Sequence, residues 1–148
     1  MYRKGVSVFI LNNKKEFILV SATGKSNYWK IPAGGVENNE TEEDTIQREV
    51  KEELGIEMKS LSKSKYIDKF DWPNEIRQQK FKETRIYYEG QERSVFFAKI
   101  KQNQKFKLQK KEICDYKWVN KDNYQQYIII PSQLKFMEKI IAKNKTFF

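Results

Sequence analysis

Val6, Val8 and Ile10 fall at alternate positions, Asn12-Asn13-Lys14-Lys15 interrupts the run, and apolar residues resume from Phe17 to Val20. That pattern predicts a β-hairpin closed by turn-forming residues. A glycine-containing loop is expected over Ala22 to Tyr28, followed by Trp29-Lys30-Ile31-Pro32 and the pair Gly34-Gly35, which permits a tight turn and close backbone approach to a ligand. The period then changes. Ile46, Val50 and Leu54 recur at four-residue spacing, so a helix is predicted from about Glu42 to Leu54. Thr41 should cap it with Asp44 three residues on, Glu42, Glu43 and Asp44 favour the positive end of its dipole, and Gly55 supplies the stop. Ile56 to Ile67 reads as a ragged strand, and Phe70-Asp71-Trp72-Pro73 opens a polar stretch through Thr84 that reads as an insertion. Arg85 to Tyr88, Arg93 to Lys101 and Cys114 to Val119 are strand candidates, and Pro131 to Lys143 is a helix with Leu134, Met137, Ile140 and Ile141 on one face. Strands on both sides of helices indicate one mixed α/β or α+β domain spanning residues 1–148, with no internal repeat.

Composition narrows the chemistry. Histidine is absent, which removes Ser-His-Asp triads, Cys-His pairs and His-ligated zinc, and the single Cys114 removes an internal disulfide and a multi-cysteine metal site. Hydrolytic chemistry in this chain must therefore rest on carboxylates and hard metals. A formal net charge of +9 favours polyanions such as phosphate chains or RNA. No apolar run approaches a membrane span and the first residues lead into a strand, so the expected location is the cytoplasm. Nothing calls for a membrane or an obligate protein partner.

Within the first helix, Glu49, Glu52 and Glu53 stand at i, i+3 and i+4, where their carboxylates share one surface. Like charges so crowded cost helix stability unless a cation neutralises them, and an all-oxygen donor set favours magnesium, with manganese as an alternative, over zinc. A solvated glutamate face is the ordinary reading of such a helix taken alone. The surrounding residues decide otherwise: Gly34, Glu40, Arg48, Glu49, Val50, Glu52, Glu53, Gly55 and Ile56 fall at the spacing G-x5-E-x7-R-E-U-x-E-E-x-G-U, with U aliphatic.

Ile31 to Ile56 thus resembles the loop-helix-loop signature of the Nudix hydrolases. The resemblance implies a mixed β-sheet sandwiched between helices and hydrolysis of a phosphoanhydride in a nucleotide polyphosphate. It also implies metal binding by Glu49, Glu53 and Glu52, with Glu52 alternatively orienting or deprotonating the attacking water, and an approach of the Gly34 carbonyl to the metal. Glu40 and Arg48 are suited to an ion pair that ties loop to helix and steadies the ligands. A further acid is expected from outside the signature, and Glu112, ahead of Tyr116-Lys117-Trp118-Val119, is the candidate.

Tyr2-Arg3-Lys4-Gly5-Val6, Trp29 to Gly35, and Gly90-Gln91-Glu92-Arg93 are similar to segments of the bacterial RNA pyrophosphohydrolase and asymmetrical diadenosine tetraphosphate hydrolase branch. Glu92 to Phe97 departs from that branch's Q-K-W-F-L, and Tyr127-Ile128-Ile129-Ile130 lacks its aromatic-basic pair. Arg3 and Arg93 are candidates for phosphate contacts through their forked guanidinium groups, Tyr28 for base stacking, and Trp29 is expected in the core. Lys135, Lys139 and Lys143 are expected on the wet face of the last helix. The expected substrates are 5′-triphosphate RNA ends or a dinucleoside polyphosphate. Free nucleoside triphosphates or nucleotide sugars are the alternative, and a nucleotide sensor that does not cut is the rival from another class.

Overall fold

The computed structural model describes residues 1–22, 27–109 and 111–148. The strands are β1 (Tyr2–Leu11), β2 (Phe17–Ala22), β3 (Trp29–Lys30), β4 (Ala33–Gly35), β5 (Met58–Asp71), β6 (Gly90–Ile100) and β7 (Ile113–Val119). The helices are α1 (Glu42–Leu54), α2 (Asn74–Thr84) and α3 (Pro131–Lys143), with a 3₁₀ turn at Tyr124–Tyr127. The strands form one mixed sheet in the order β3-β2-β1-β6-β5, with β4 added against β1 and β7 against β2. Among the described residues only the β1–β6 pair is parallel, from Tyr2↔Gly90 to Leu11↔Lys99.

The first hairpin is present, with β1 and β2 paired antiparallel. β1 is buried continuously from Gly5 to Leu11 because both faces of the sheet are covered. Phe9 and Leu11 join Phe17, Leu19, Val95 and Phe97 beneath Met137 and Ile140 of α3. Val6, Val8 and Ile10 join Ile18, Val20 and Phe96 beneath Ile46, Val50 and Leu54 of α1. The two-residue period of the strand thus sends alternate side chains into two separate cores, and the sheet lies between helices. In the connection, Asn12 Oδ1 accepts hydrogen bonds from the backbone N–H of Lys14 and Glu16, at 2.9 and 3.1 Å, and Lys15 takes a positive φ of 60°. The strands part after Leu11↔Phe17, the only Cα pair between them among the described residues, and β2 then follows β7.

α1 begins and ends where its residues dictate. Thr41 Oγ1 accepts from the Asp44 N–H and the Asp44 carboxylate accepts from the Thr41 N–H, a reciprocal cap worth about 1 kcal/mol. Gly55 closes the helix at φ 66°, its N–H bonded to Lys51 O at 2.9 Å.

Two expectations need correction, and the segment read as an insertion takes a definite form. β5 runs on to Asp71, because its inward positions Ser64, Tyr66, Asp68 and Phe70 alternate with exposed ones along β6. The supposed insertion contains α2, a helix without a buried residue, held at its start by Arg77 Nε donating to Trp72 O at 2.8 Å. Arg85 to Tyr88 is not a strand: Arg85 caps α2 in the left-handed region at φ 60°, and the chain regains sheet geometry only at Gly90. α3 has its expected limits, with Pro131 in its first turn and Met137 and Ile140 buried. Of its lysines, Lys139 lies over the Tyr66 ring at 5.4 Å. Trp29 is half-buried against the α3-side core, with Lys117 over its ring at 4.2 Å. The loop expected over Ala22 to Tyr28 falls mostly on 23–26, outside the described residues. No helix among the described residues is long and apolar enough to cross a membrane.

Candidate active site and family

The acidic face of α1 turns toward β4. Arg48 sits at its centre and organises it: Nε donates to Glu40 Oε2 at 2.6 Å and Nη2 to Glu40 Oε1 at 3.0 Å, a forked pair that binds the loop before the helix to the helix itself. The same guanidinium reaches Glu49 Oε1 at 2.9 Å, Glu52 Oε2 at 3.4 Å and Gly35 O at 3.3 Å. Glu40 also accepts from Thr45 Oγ1 and the Glu37 N–H. With Arg48 as the largest influence, its carboxyl is held down at about 2. The expected Glu40–Arg48 pair is therefore present and carries two of the helix carboxylates with it.

At Gly34 an added Cβ would run into the Glu49 carboxyl, so the absence of a side chain leaves Glu49 its place between α1 and β4. Burial pushes the Glu49 carboxyl up, against the pull of Arg48. Glu53 is more extreme. It is only 5% exposed, its Oε2 has no hydrogen-bond partner, and burial, with further repulsion from Glu49 and Glu112 and some relief from Lys30, raises it to about 8.

Glu112 enters from far along the chain. Lys107 N donates to Leu54 O at 2.8 Å and Gln109 N to Glu53 O at 3.3 Å, fixing the segment ahead of β7 against the end of α1. Phe106 of that segment stacks on Tyr116 at 4.2 Å between ring centres. Carboxylate oxygens of Glu49, Glu52 and Glu112 all come within 4.8 Å of one another. Of the expected ligands, the structure brings together Glu49, Glu52 and Glu112, while Glu53 lies outside this close group, more deeply buried and in contact with Glu49. The reason is helical geometry: Leu54 and Val50 are buried in the core, and Glu53, next to that stripe, is carried partly under the surface. A buried, unpartnered carboxylate oxygen beside three clustered carboxylates is a donor set that a hard divalent cation would complete.

The chain matches the family model of the NUDIX domain over residues 1–140. It belongs to the Nudix family. It is accordingly a hydrolase with pyrophosphohydrolase activity, and Nudix hydrolases act on nucleotide polyphosphates with the help of a divalent metal. It is 27% identical over 134 residues to an RNA pyrophosphohydrolase of a Nitratiruptor species, covering 86% of this chain and 83% of that protein. It is 30% identical over 122 residues to an RNA pyrophosphohydrolase of a Sulfurovum species, covering 78% and 74%. The E. coli dihydroneopterin triphosphate pyrophosphohydrolase shares the fold, with a TM-score of 0.71 at 19% identity over 97% of this chain and 99% of that one.

Around the Nudix helix, the residues expected to meet substrate are dispersed. The guanidinium of Arg3 lies over Gly35, where an added Cβ would come within 2.8 Å of it, one residue along β4 from Gly34. Tyr28 Oη accepts from Gln133 Nε2 at 2.9 Å, which ties it to α3. Arg93 lies over the Phe70 ring at 5.1 Å and faces Asp68 on β5, away from the carboxylate group. Lys30 was not singled out from the sequence as a site residue, yet its charge acts on Glu53, and its place within Trp29-Lys30-Ile31-Pro32 was the available signal.

Proposed function

We propose that this Nudix hydrolase cleaves the phosphoanhydride of 5′-triphosphate RNA ends, with dinucleoside polyphosphates as the second substrate. We propose that magnesium, or manganese in its place, is held by Glu49, Glu52 and Glu112, with Glu53 joining once it loses its proton and Gly34 O at the rim. The observation that carries the reading is the approach of Glu112, 60 positions after Glu52, to the helix carboxylates within 4.8 Å. A merely solvated helix face would gain nothing from importing a further negative charge. The chemistry such a cation supplies when bound is Lewis acidity toward phosphoryl oxygens and neutralisation of charge on the departing phosphate.

The chain's own groups do the rest. Arg48 holds Glu49 and Glu52 at fixed spacing, so repulsion between them does not splay the site. Glu52, half-exposed, orients or deprotonates the attacking water, and Glu53 is the alternative proton acceptor. Arg3, against β4, is positioned to meet the phosphate chain. The RNA reading draws support from the net charge of +9 and from the curated relatives named above. The cytoplasm is the location that suits such a substrate.

Triphosphorylated RNA, diadenosine tetraphosphate and free nucleoside triphosphates, assayed side by side with magnesium for released pyrophosphate and phosphate, test the substrate. Faster turnover of RNA ends is expected; a preference for free triphosphates would reject the RNA assignment. No turnover on any of them with either metal would favour the sensor.

A further inference from the structure

A basic trough lies where β5, the first turn and the end of α3 meet. One recess of about 320 Å³ is lined by Ser64, Lys65 and Tyr66 of β5, by Phe97 of β6, and by Lys143 and Phe147. A second, of about 230 Å³, is lined by Asn13 and Lys15 of the first turn, Lys99 of β6, and Thr146 and Phe147. Phe147 belongs to both, so the recesses adjoin across its ring, which lies flat on Phe97 at 4.4 Å between ring centres and 10° between planes. Leu11 also lines the second recess and stands five residues along β1 from Val6, the partner of Gly34, so the trough is about 17 Å along the strand from the acidic group. It also faces the other side of the sheet, with the core beneath α3.

The lysines of the trough have no acid to answer them. Elsewhere Lys4, Lys51, Lys63, Lys80 and Lys101 each pair with a glutamate. Among the described residues Lys15, Lys65, Lys99 and Lys143 have no ion pair, and no Asp or Glu side chain lines either recess. Glu16, beside Lys15 in the chain, is taken by Asn12 Nδ2 at 3.0 Å. Such a field of one sign draws a polyanion. β5 contributes through a bulge: its register with β6 shifts between Lys63 and Ile67, Ser64 Oγ accepts from the Tyr66 N–H at 3.1 Å, and Lys65 is left exposed. Between the charges stand the half-buried rings of Tyr66 and Phe147. Lysines interleaved with rings suit a single strand of nucleic acid, whose phosphates meet the charges and whose unstacked bases meet the rings; a duplex, with its bases stacked inside, could use only the charges.

We propose that this trough is an exosite for single-stranded RNA, holding the body of a strand whose 5′ end lies at the acidic group. Each recess takes a backbone phosphate, Lys65 and Lys143 in one and Lys15 and Lys99 in the other, and a base lies against Phe147 between them. The assignment rests on the RNA reading of the active site. It makes the hydrolase sensitive to strand length: a triphosphorylated dinucleotide ends short of the trough, whereas a strand of about 12 nucleotides, within the size range of single-strand sites, reaches it.

Fluorescence anisotropy of a labelled 5′-hydroxyl RNA of that length, in EDTA, reads the trough without turnover and without a triphosphate. With four lysines engaged, log affinity should fall against log salt with a slope of about −3. Lys65→Gln combined with Lys143→Gln changes two exposed side chains, so the melting temperature should hold. Binding should weaken about tenfold or more and the slope shrink to about −1.5. A duplex of the same sequence should bind about tenfold or more weakly than the single strand. In turnover with magnesium the double variant should raise KM for the triphosphorylated strand by about the same factor as it weakens binding, and leave kcat and both constants for the triphosphorylated dinucleotide unchanged. A duplex bound as tightly as the single strand, a salt slope unmoved in the double variant, or KM raised equally for strand and dinucleotide would overturn the proposal. Absence of turnover on every triphosphorylated RNA would count against the substrate reading of the active site, and the anisotropy result by itself then decides the trough.

Discussion

Replacement of Glu53 by Gln separates what the site costs the fold from what it gives the reaction. The carboxyl is 5% exposed, one oxygen lacks a partner, and its pKa of about 8 stands well above the ordinary 4.5. The unfolded chain releases this proton near 4.5 and the folded chain only near 8. The stability it allows is therefore complete below pH 4.5 and falls as pH rises, levelling off above 8. The full shift is equivalent to about 5 kcal/mol, and at pH 7 about 3 kcal/mol has been lost. Water entry and local relaxation make both figures upper limits. Gln has nearly the same shape and no proton to release. In EDTA, the variant should match the wild type near pH 4.5 and become progressively more stable than it up to pH 8. Urea unfolding followed by tryptophan fluorescence across that pH range measures the gap. A gap of constant size, or a variant less stable at pH 8, would refute the reasoning. With magnesium the wild type regains stability through binding that the variant forgoes, and the variant's turnover should fall by about 100-fold or more.

Other outcomes follow from the same geometry. Glu112→Gln alters an exposed side chain, so stability should stay within about 0.5 kcal/mol of wild type while the manganese dissociation constant, followed by paramagnetic relaxation, rises about tenfold or more. Gly34→Ala drives a methyl group into the Glu49 carboxyl and should lower metal affinity about 10- to 100-fold in the same measurement. Arg48→Met removes the partner that holds Glu40 near 2: in the wild type that stability is present above pH 4.5 and lost as pH falls toward 2, and acid titration of the variant by circular dichroism should lack this part of the slope.

The helix of the site was legible because its signals are local. Thr41, Asp44, the four-residue stripe of Ile46, Val50 and Leu54, and Gly55 each act within one or two turns, and the structure places both ends of α1 where those residues put them. α3 was readable for the same reason. What failed were properties set by distant partners. Burial of β1 on both sides depends on α1 and α3 packing on opposite faces, which a two-residue alternation cannot report. α2 has no apolar stripe, so a reading based on periodicity passed over it. The crowding of Glu49 and Glu52 on one surface was legible. The deeper burial of Glu53 was not, because it depends on how far α1 is rolled on the sheet. Lys30 went unnoticed because it meets Glu53 only once β3 and α1 are brought together by the fold.

The two backbone bonds from Lys107 to Leu54 and from Gln109 to Glu53 have an evolutionary corollary. They moor the far acid to main-chain atoms, which every sequence possesses, while Gln104 on Glu57 and Phe106 on Tyr116 add side-chain ties to the same segment. Descendants of this protein can therefore recolour the exposed Gln102 and Lys105, and so change what meets the acidic surface, without relocating the fourth carboxylate.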